Sequence, residues 1–299
     1  MSDTIKGILF ALAAAGIYGL TPPFTRLAFA HGVPSLETMM WRVIALVIVF
    51  SVIVLLRRIS LKVPDGAGAG LSVMIVSTAM ISVGYLGSVQ FIPVALAVIV
   101  FFTFPILILL LSPIMEGRSL SLKRLLIGMV AFSGLAIAVG PDLGKLNPLG
   151  LGLAVMASFG ATLQFFSGRS LAGKMQPLAF GLIAHLVLLP VAVAVSIWMG
   201  SGQIVSLATP DSISQMGWIA ICVVAGTYSL AYFCHMSAVR HAPPSIIAPF
   251  FNLEPITSIG VAIVLLREVP TNNQLVGGAL VLAALLGAGL TGTRQQIKN

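Results

Sequence analysis

Ten long apolar runs divide this chain, each bounded by Pro, Gly or charged residues and each close to the roughly 20 residues that a helix needs to cross a bilayer. They predict helices over 5–29, 35–56, 67–89, 93–114 and 121–139, then over 148–171, 177–199, 213–236, 243–266 and 272–291. Pro148, Pro177, Pro243 and Pro244 fall at helix starts, where a missing N–H costs little. Pro34-Ser35-Leu36-Glu37 and Asp211-Ser212 read as N-cap signals for the second and eighth helices. The segment 140–147 joins the two groups of five, and 200–211 is the longest loop, polar and free of Lys and Arg.

The pattern occurs twice. Residues 86–105 (LGSVQFIPVALAVIVFFTFP) align without a gap on 236–255 (MSAVRHAPPSIIAPFFNLEP), an offset of 150 that pairs Val89 with Val239, Pro93 with Pro243, Phe101 with Phe251 and Pro105 with Pro255. The same offset carries Gly128 onto Gly278. Upstream, an offset of 143 pairs Gly7 with Gly150, Arg26 with Arg169 and Pro34 with Pro177. Five helices per repeat is an odd number, so the second half runs opposite to the first. The fold predicted is an all-α membrane protein of ten transmembrane helices, two inverted five-helix repeats (1–146 and 147–299) around a central cavity. Transporters built this way place their site where the halves meet.

Composition excludes a soluble protein. Hydrophobic residues make up 58% of the chain and charged residues 8%, against about 25% charged in a soluble domain. The net charge of +8 sits in short clusters beside the spans (Arg57, Arg58, Lys62; Arg118, Lys123, Arg124), the distribution of cytoplasmic loops and not of a nucleic-acid-binding stripe. With both termini inside, twelve of the 16 Lys and Arg residues fall in inside segments and three (Arg26, Lys145, Arg267) outside, with Arg42 inside a helix. Cys222 and Cys234 share a predicted helix at roughly 18 Å, too far for a disulfide. The N-terminal run resembles a signal peptide superficially; the repeat makes it the first, retained span. There is no phosphate loop, His-Glu-x-x-His or metal-spaced Cys/His cluster, so neither a cofactor, a metal nor a catalytic residue is expected.

Several residues within the spans could carry function. Pro105 and Pro255 each lie near the middle of a helix, where proline frees a carbonyl four residues earlier and kinks the chain. Interrupted helices at matching places in two halves point to a transport site, although both prolines could simply bend helices for packing. Around them lie Phe101, Phe102, Thr103 and Phe104 in one half and Phe250, Phe251, Asn252 and Glu254 in the other, apolar walls with a few polar fixings of which about half would face inward. Glu254 is the only acidic residue near the midplane: it could bind an ammonium, carry a coupling proton, or fix the fold. Arg42 and His185 are related by the 143 offset, and could guard the outer and inner mouths respectively or serve structure. Tyr18, Thr21, Pro22 and Gln164 are polar or irregular points in the first and sixth helices, and Tyr228 and Tyr232 share one face of the eighth, with His235 beyond them. The glycines of helices five and ten (Gly128, Gly134; Gly277, Gly278, Gly287) permit close approach, for packing or self-association.

With its duplicated five-helix unit, the chain resembles the drug/metabolite transporter superfamily, specifically the ten-helix EamA branch. The motifs are Pro34…Trp41-Arg42, Phe104-Pro105…Met115-Glu116-Gly117 and Leu253-Glu254-Pro255…Leu266-Arg267-Glu268; Met-Glu-Gly stands where the family typically has Leu-Gly-Glu. The resemblance implies an exporter of small metabolites in the bacterial inner membrane, similar to amino-acid exporters, including aromatic ones of the YddG type. A substrate-binding set of Tyr18, Thr21, Phe101, Phe102, Thr103, Pro105, Gln164, Tyr228, Tyr232, Phe251, Asn252, Glu254 and Pro255 is expected, gated by Arg42 and His185. Its partners would be a small-molecule substrate and membrane lipids, and it would work as a monomer or weak homodimer. Other solutes (drugs, cationic compounds, sugar phosphates) are the alternative within this class; a channel or intramembrane enzyme has no supporting motif.

Overall fold

The computed structural model describes residues 2–34, 37–117, 119–140, 147–199, 204–267 and 269–296, with backbone alone at 199, 205 and 289–296. The expected cap at Ser35, most of the 140–147 link, the start of the 200–211 loop, Arg118, Lys145, Glu268 and Lys298, and the side chain of Arg294 lie outside the described residues.

Among the described residues nine spans are long and apolar enough to cross a membrane, and a shorter apolar stretch, Asn272–Ala288, supplies a tenth. Six are single helices: α2 (Glu37–Leu56), α3 (Gly68–Ser88), α5 (Leu122–Val139), α6 (Pro148–Ala172), α7 (Pro177–Met199) and α8 (Gln215–His241), and α10 (Asn272–Gln296) is a seventh. Three spans are interrupted. The first divides into α1a (Asp3–Tyr18) and α1b (Thr21–Ala30), the fourth into α4a (Val94–Phe101) and α4b (Phe104–Met115). The ninth runs from a short helix, Pro244–Ile247, through a 3₁₀ stretch, Ala248–Asn252, into α9 (Leu253–Leu266).

Proline explains where the breaks fall. A proline cannot donate to the carbonyl four residues back. Pro105 therefore has no N–H for the Phe101 carbonyl, and α4a ends at Phe101; Pro255 likewise has none for the Phe251 carbonyl, which takes the Leu253 N–H at the end of the 3₁₀ stretch. Both prolines then sit in the first turn of the following helix, where no N–H is missed. The break in the first span was not anticipated: Pro22 and Pro23 take away the donors for the Tyr18 and Gly19 carbonyls, and the helix restarts at Thr21. The eighth helix also begins two residues later than its pattern indicates. Ser214 caps it, accepting from the Gly217 N–H at 3.3 Å, while Pro210–Ser212 forms a separate 3₁₀ turn.

Because successive spans reverse direction, both ends of the chain reach one face, the terminal face, which also carries the turns after α2, α4b, α6 and α8. The opposite face carries the turns after α1b, α3, α7 and α9. Small residues set the closest crossings. A Cβ at Gly277 would lie 2.3 Å from the Gly134 carbonyl oxygen, so Gly134 of α5 and Gly277 of α10 are consumed in packing within the chain. Val264, Trp198 and Ile114, each about four-fifths exposed, belong to the lipid-facing perimeter that an apolar bundle requires.

Candidate functional site

A cavity of about 510 Å³ lies between the halves, the size range of small-molecule pockets. Its floor is aromatic. The interrupted fourth and ninth spans bring Phe104 and Phe251 against Phe165 of α6, with ring centroids 5.5 and 5.0 Å from Phe165. His235 of α8 completes the floor, 4.3 Å from Phe165 and 4.7 Å from Phe251. One wall is Phe101 with Tyr85, centroids 5.3 Å apart. The other is Tyr18, which stands 6.1 Å from Tyr228.

Two ionisable side chains of opposite kind face into this apolar space, one from each half. Arg42 of α2 lies over the Tyr228 ring, its guanidinium carbon 4.6 Å from the centroid, a cation–π contact. Its Nε is buried without a hydrogen-bond partner. Glu254, in the first turn of α9, forms neither a hydrogen bond nor an ion pair among the described residues. The two side chains are within electrostatic reach but do not meet as a salt bridge. Both side chains are therefore available to something else in the cavity, because an ionisable group in a low-dielectric site calls for a partner.

The tyrosines are anchored from behind. The Tyr228 hydroxyl is 3.0 Å from His185 Nε2, and His185 Nδ1 is 2.8 Å from the Gly181 carbonyl oxygen. Gln164 Nε2 donates to Thr78 Oγ1 at 3.0 Å, and Thr78 donates to the Met74 carbonyl at 2.7 Å. The cavity rises past Arg26, Thr38 and Gln90 and ends at Phe29 and Val94, both exposed, so it opens at the face opposite the termini. No residue at the terminal face lines it. There the helices are tied together: Glu116 at the end of α4b accepts from the Ser245 N–H at 3.0 Å and from its hydroxyl, Arg169 donates to the Val239 and Arg240 carbonyls at 3.1 and 2.6 Å, and Lys174 donates to the Gly66 carbonyl at 2.7 Å.

Of the residues expected from sequence, Tyr18, Thr21, Phe101, Phe102, Gln164, Tyr228, Tyr232, Phe251, Glu254 and Arg42 line the cavity. Thr103, Pro105, Asn252 and Pro255 lie outside its lining. Thr103 donates to the Val100 carbonyl at 2.7 Å and meets Ser158 at 2.8 Å, and Asn252 Nδ2 donates to the Pro249 carbonyl at 3.0 Å. The prolines shape the helices instead of touching the space. His185, fully buried, stands behind Tyr228. The picture of Arg42 and His185 at opposite mouths is corrected: both converge on Tyr228, one on its ring and one on its hydroxyl.

Sequence reasoning passed over Thr78, Ser82 and Tyr85 of α3 and Phe165 of α6. The first three carried a readable signal, since polar residues four and three apart on one helix form a stripe. Among the described residues no group of three His, Cys, Asp or Glu side chains could hold a metal ion.

Two successive segments of the chain, 5–140 and 148–290, match the EamA-like transporter family. The chain belongs to that family. One solved structure, described only as the crystal structure of a protein, shares the fold with a TM-score of 0.82 at 14% identity, over 96% of this chain and 98% of its own. No curated protein sequence matches the chain. As an EamA-like protein it is a multi-pass membrane transporter, with two five-helix repeats in inverted orientation about the cavity, and its family moves solutes without converting them.

Proposed function

We propose that this EamA-like transporter exports small zwitterionic metabolites, amino acids with apolar or aromatic side chains, from the cytoplasm across a bacterial inner membrane. The observation that carries this reading is the pair Arg42 and Glu254, a basic and an acidic side chain in one aromatic-lined cavity that form no salt bridge with each other. An amino acid supplies a carboxylate for Arg42 and an ammonium for Glu254, and its side chain fills the apolar remainder. A sugar phosphate would bring two negative charges toward Glu254, and an organic cation would leave Arg42 unmatched.

The units 1–146 and 147–299 act as two inverted bodies that alternate about the site, and the chain works as a monomer. The terminal face is cytoplasmic, as the excess of Lys and Arg there favours. The cavity is then open to the outside and closed to the inside by the ties that cross between the units, at Glu116 and Lys174. Export ends in this state. Return to the inward-open state breaks those ties and closes the mouth at Phe29 and Val94.

Counterflow into proteoliposomes loaded with unlabelled solute tests this, using labelled leucine and phenylalanine beside glucose 6-phosphate and a quaternary ammonium compound. Saturable exchange of the amino acids is expected. Exchange of the phosphate or the cation with none of either amino acid would overturn the proposal.

A further inference from the structure

The two buried histidines near the cavity are in opposite situations. His185 uses both ring nitrogens, on Gly181 and Tyr228. His235 uses neither: it is 5% exposed, lines the cavity floor, and has no hydrogen bond among the described residues, its Nε2 being fully enclosed. Buried ring nitrogens without partners are rare in folded proteins, and each one requires an explanation.

Packing alone does not supply that explanation. Phe165, Phe251 and Tyr18 surround the imidazole, at 4.3, 4.7 and 6.4 Å between centroids, and a fourth phenyl ring would fill this aromatic box without leaving polar atoms stranded. The imidazole sits where the box meets the open cavity. On the same cavity, Arg42 and Glu254 offer the two poles for an amino acid's backbone groups. A solute held by those poles has its side chain directed into the aromatic space, at whose floor His235 stands.

We infer that His235 is a specificity-determining residue whose Nδ1, the ring nitrogen that is not enclosed, hydrogen-bonds a hydroxyl at the far end of the solute's side-chain ring. A neutral imidazole presents one donor and one acceptor, and which nitrogen holds which depends on the tautomer. A phenolic hydroxyl both donates and accepts, so it satisfies either arrangement. An indole N–H only donates, and a plain phenyl ring satisfies nothing. The transporter therefore favours tyrosine over phenylalanine, with tryptophan between them. This inference rests on the proposal that the solute is an amino acid.

Competition against counterflow of labelled phenylalanine tests it, with unlabelled tyrosine, tryptophan and phenylalanine as competitors. For the wild-type protein, tyrosine should compete about tenfold better than phenylalanine, the effect of one hydrogen bond to a buried partner. His235→Phe should bring the tyrosine-to-phenylalanine ratio close to one, and His235→Gln, which keeps a donor and an acceptor, should restore part of the preference. Equal competition by the two in the wild type overturns the inference while leaving amino-acid transport standing. A full tyrosine preference in His235→Phe overturns it as well. Absence of amino-acid exchange by the wild type removes both readings; a wild-type preference that neither His235→Phe nor His235→Gln reduces overturns the assignment to His235.

Discussion

Gly19 separates α1a from α1b, and a methyl group added there would meet backbone. Its Cβ would lie 2.6 Å from Thr257 Cβ and 2.7 Å from the carbonyl oxygen of Glu254. Restoring the second contact to an ordinary 3.4 Å moves the Glu254 turn away from α1 by about 0.7 Å. A carbonyl in the first turn of α9 cannot swing aside as a side-chain tip can. Overpacking of this kind costs about 1–3 kcal/mol, and the rigid neighbour puts Gly19→Ala toward the upper end. That corresponds to a fall in Tm of about 4–10 °C. Because the displaced turn carries the cavity's one carboxylate, a shift of this size also disturbs solute geometry, and exchange should slow severalfold. Gly16→Ala is the internal control, on the same helix less than one turn away with nothing within 4 Å of its added Cβ; it should match or slightly exceed wild type in stability. The assays are thermal unfolding followed by size-exclusion chromatography in detergent and counterflow in proteoliposomes. If Gly19→Ala and Gly16→Ala behave alike in both, the close approach of α1 to α9 is not what fixes Glu254.

Three further outcomes follow from the contacts described. Arg42→Met and Glu254→Gln should each raise the half-saturating amino-acid concentration in counterflow about 10–100-fold, the worth of one charge-assisted hydrogen bond; an unchanged concentration dependence in both would separate these charges from the solute. Glu116→Ala strands the buried Ser245 N–H and should lower stability by about 1–3 kcal/mol, read as Tm, while Glu116→Gln keeps an acceptor and recovers most of it. Gly277→Ala forces α5 and α10 apart and should be clearly less stable than Gly278→Ala, whose added Cβ meets only Ile256 at 3.9 Å; equal Tm values would refute that crossing.

The repeat made the architecture readable. Matching Pro105 and Pro255 at equal depth identified the two interrupted spans, because the loss of a donor depends on the local chain alone. The break after Tyr18 follows the same rule, but the matching span Pro148–Ala172 is one unbroken helix, so the repeat does not mark it. Symmetry also misled for Arg42 and His185: the offset sets their sequence positions, whereas Tyr228, a residue of a third helix, brings the two together. Phe101, Phe251 and Glu254 were legible as cavity residues because they flank the interruptions; Thr103 beside them bonds Ser158 of α6 instead, and Asn252 bonds back to Pro249 of its own span. The contrast between His185 and His235 was beyond the sequence altogether, since it depends on which buried nitrogens find partners across helices.

Locking the terminal face shut tests the central claim of alternating access most directly. With Cys222 and Cys234 replaced by serine, Glu116→Cys and Ser245→Cys place thiols just past α4b and at the start of the ninth span, where the native side chains are hydrogen-bonded. A short, reducible methanethiosulfonate linker between them should abolish amino-acid counterflow, and reduction should restore it. Exchange that continues at the full rate across the linked protein would contradict the account.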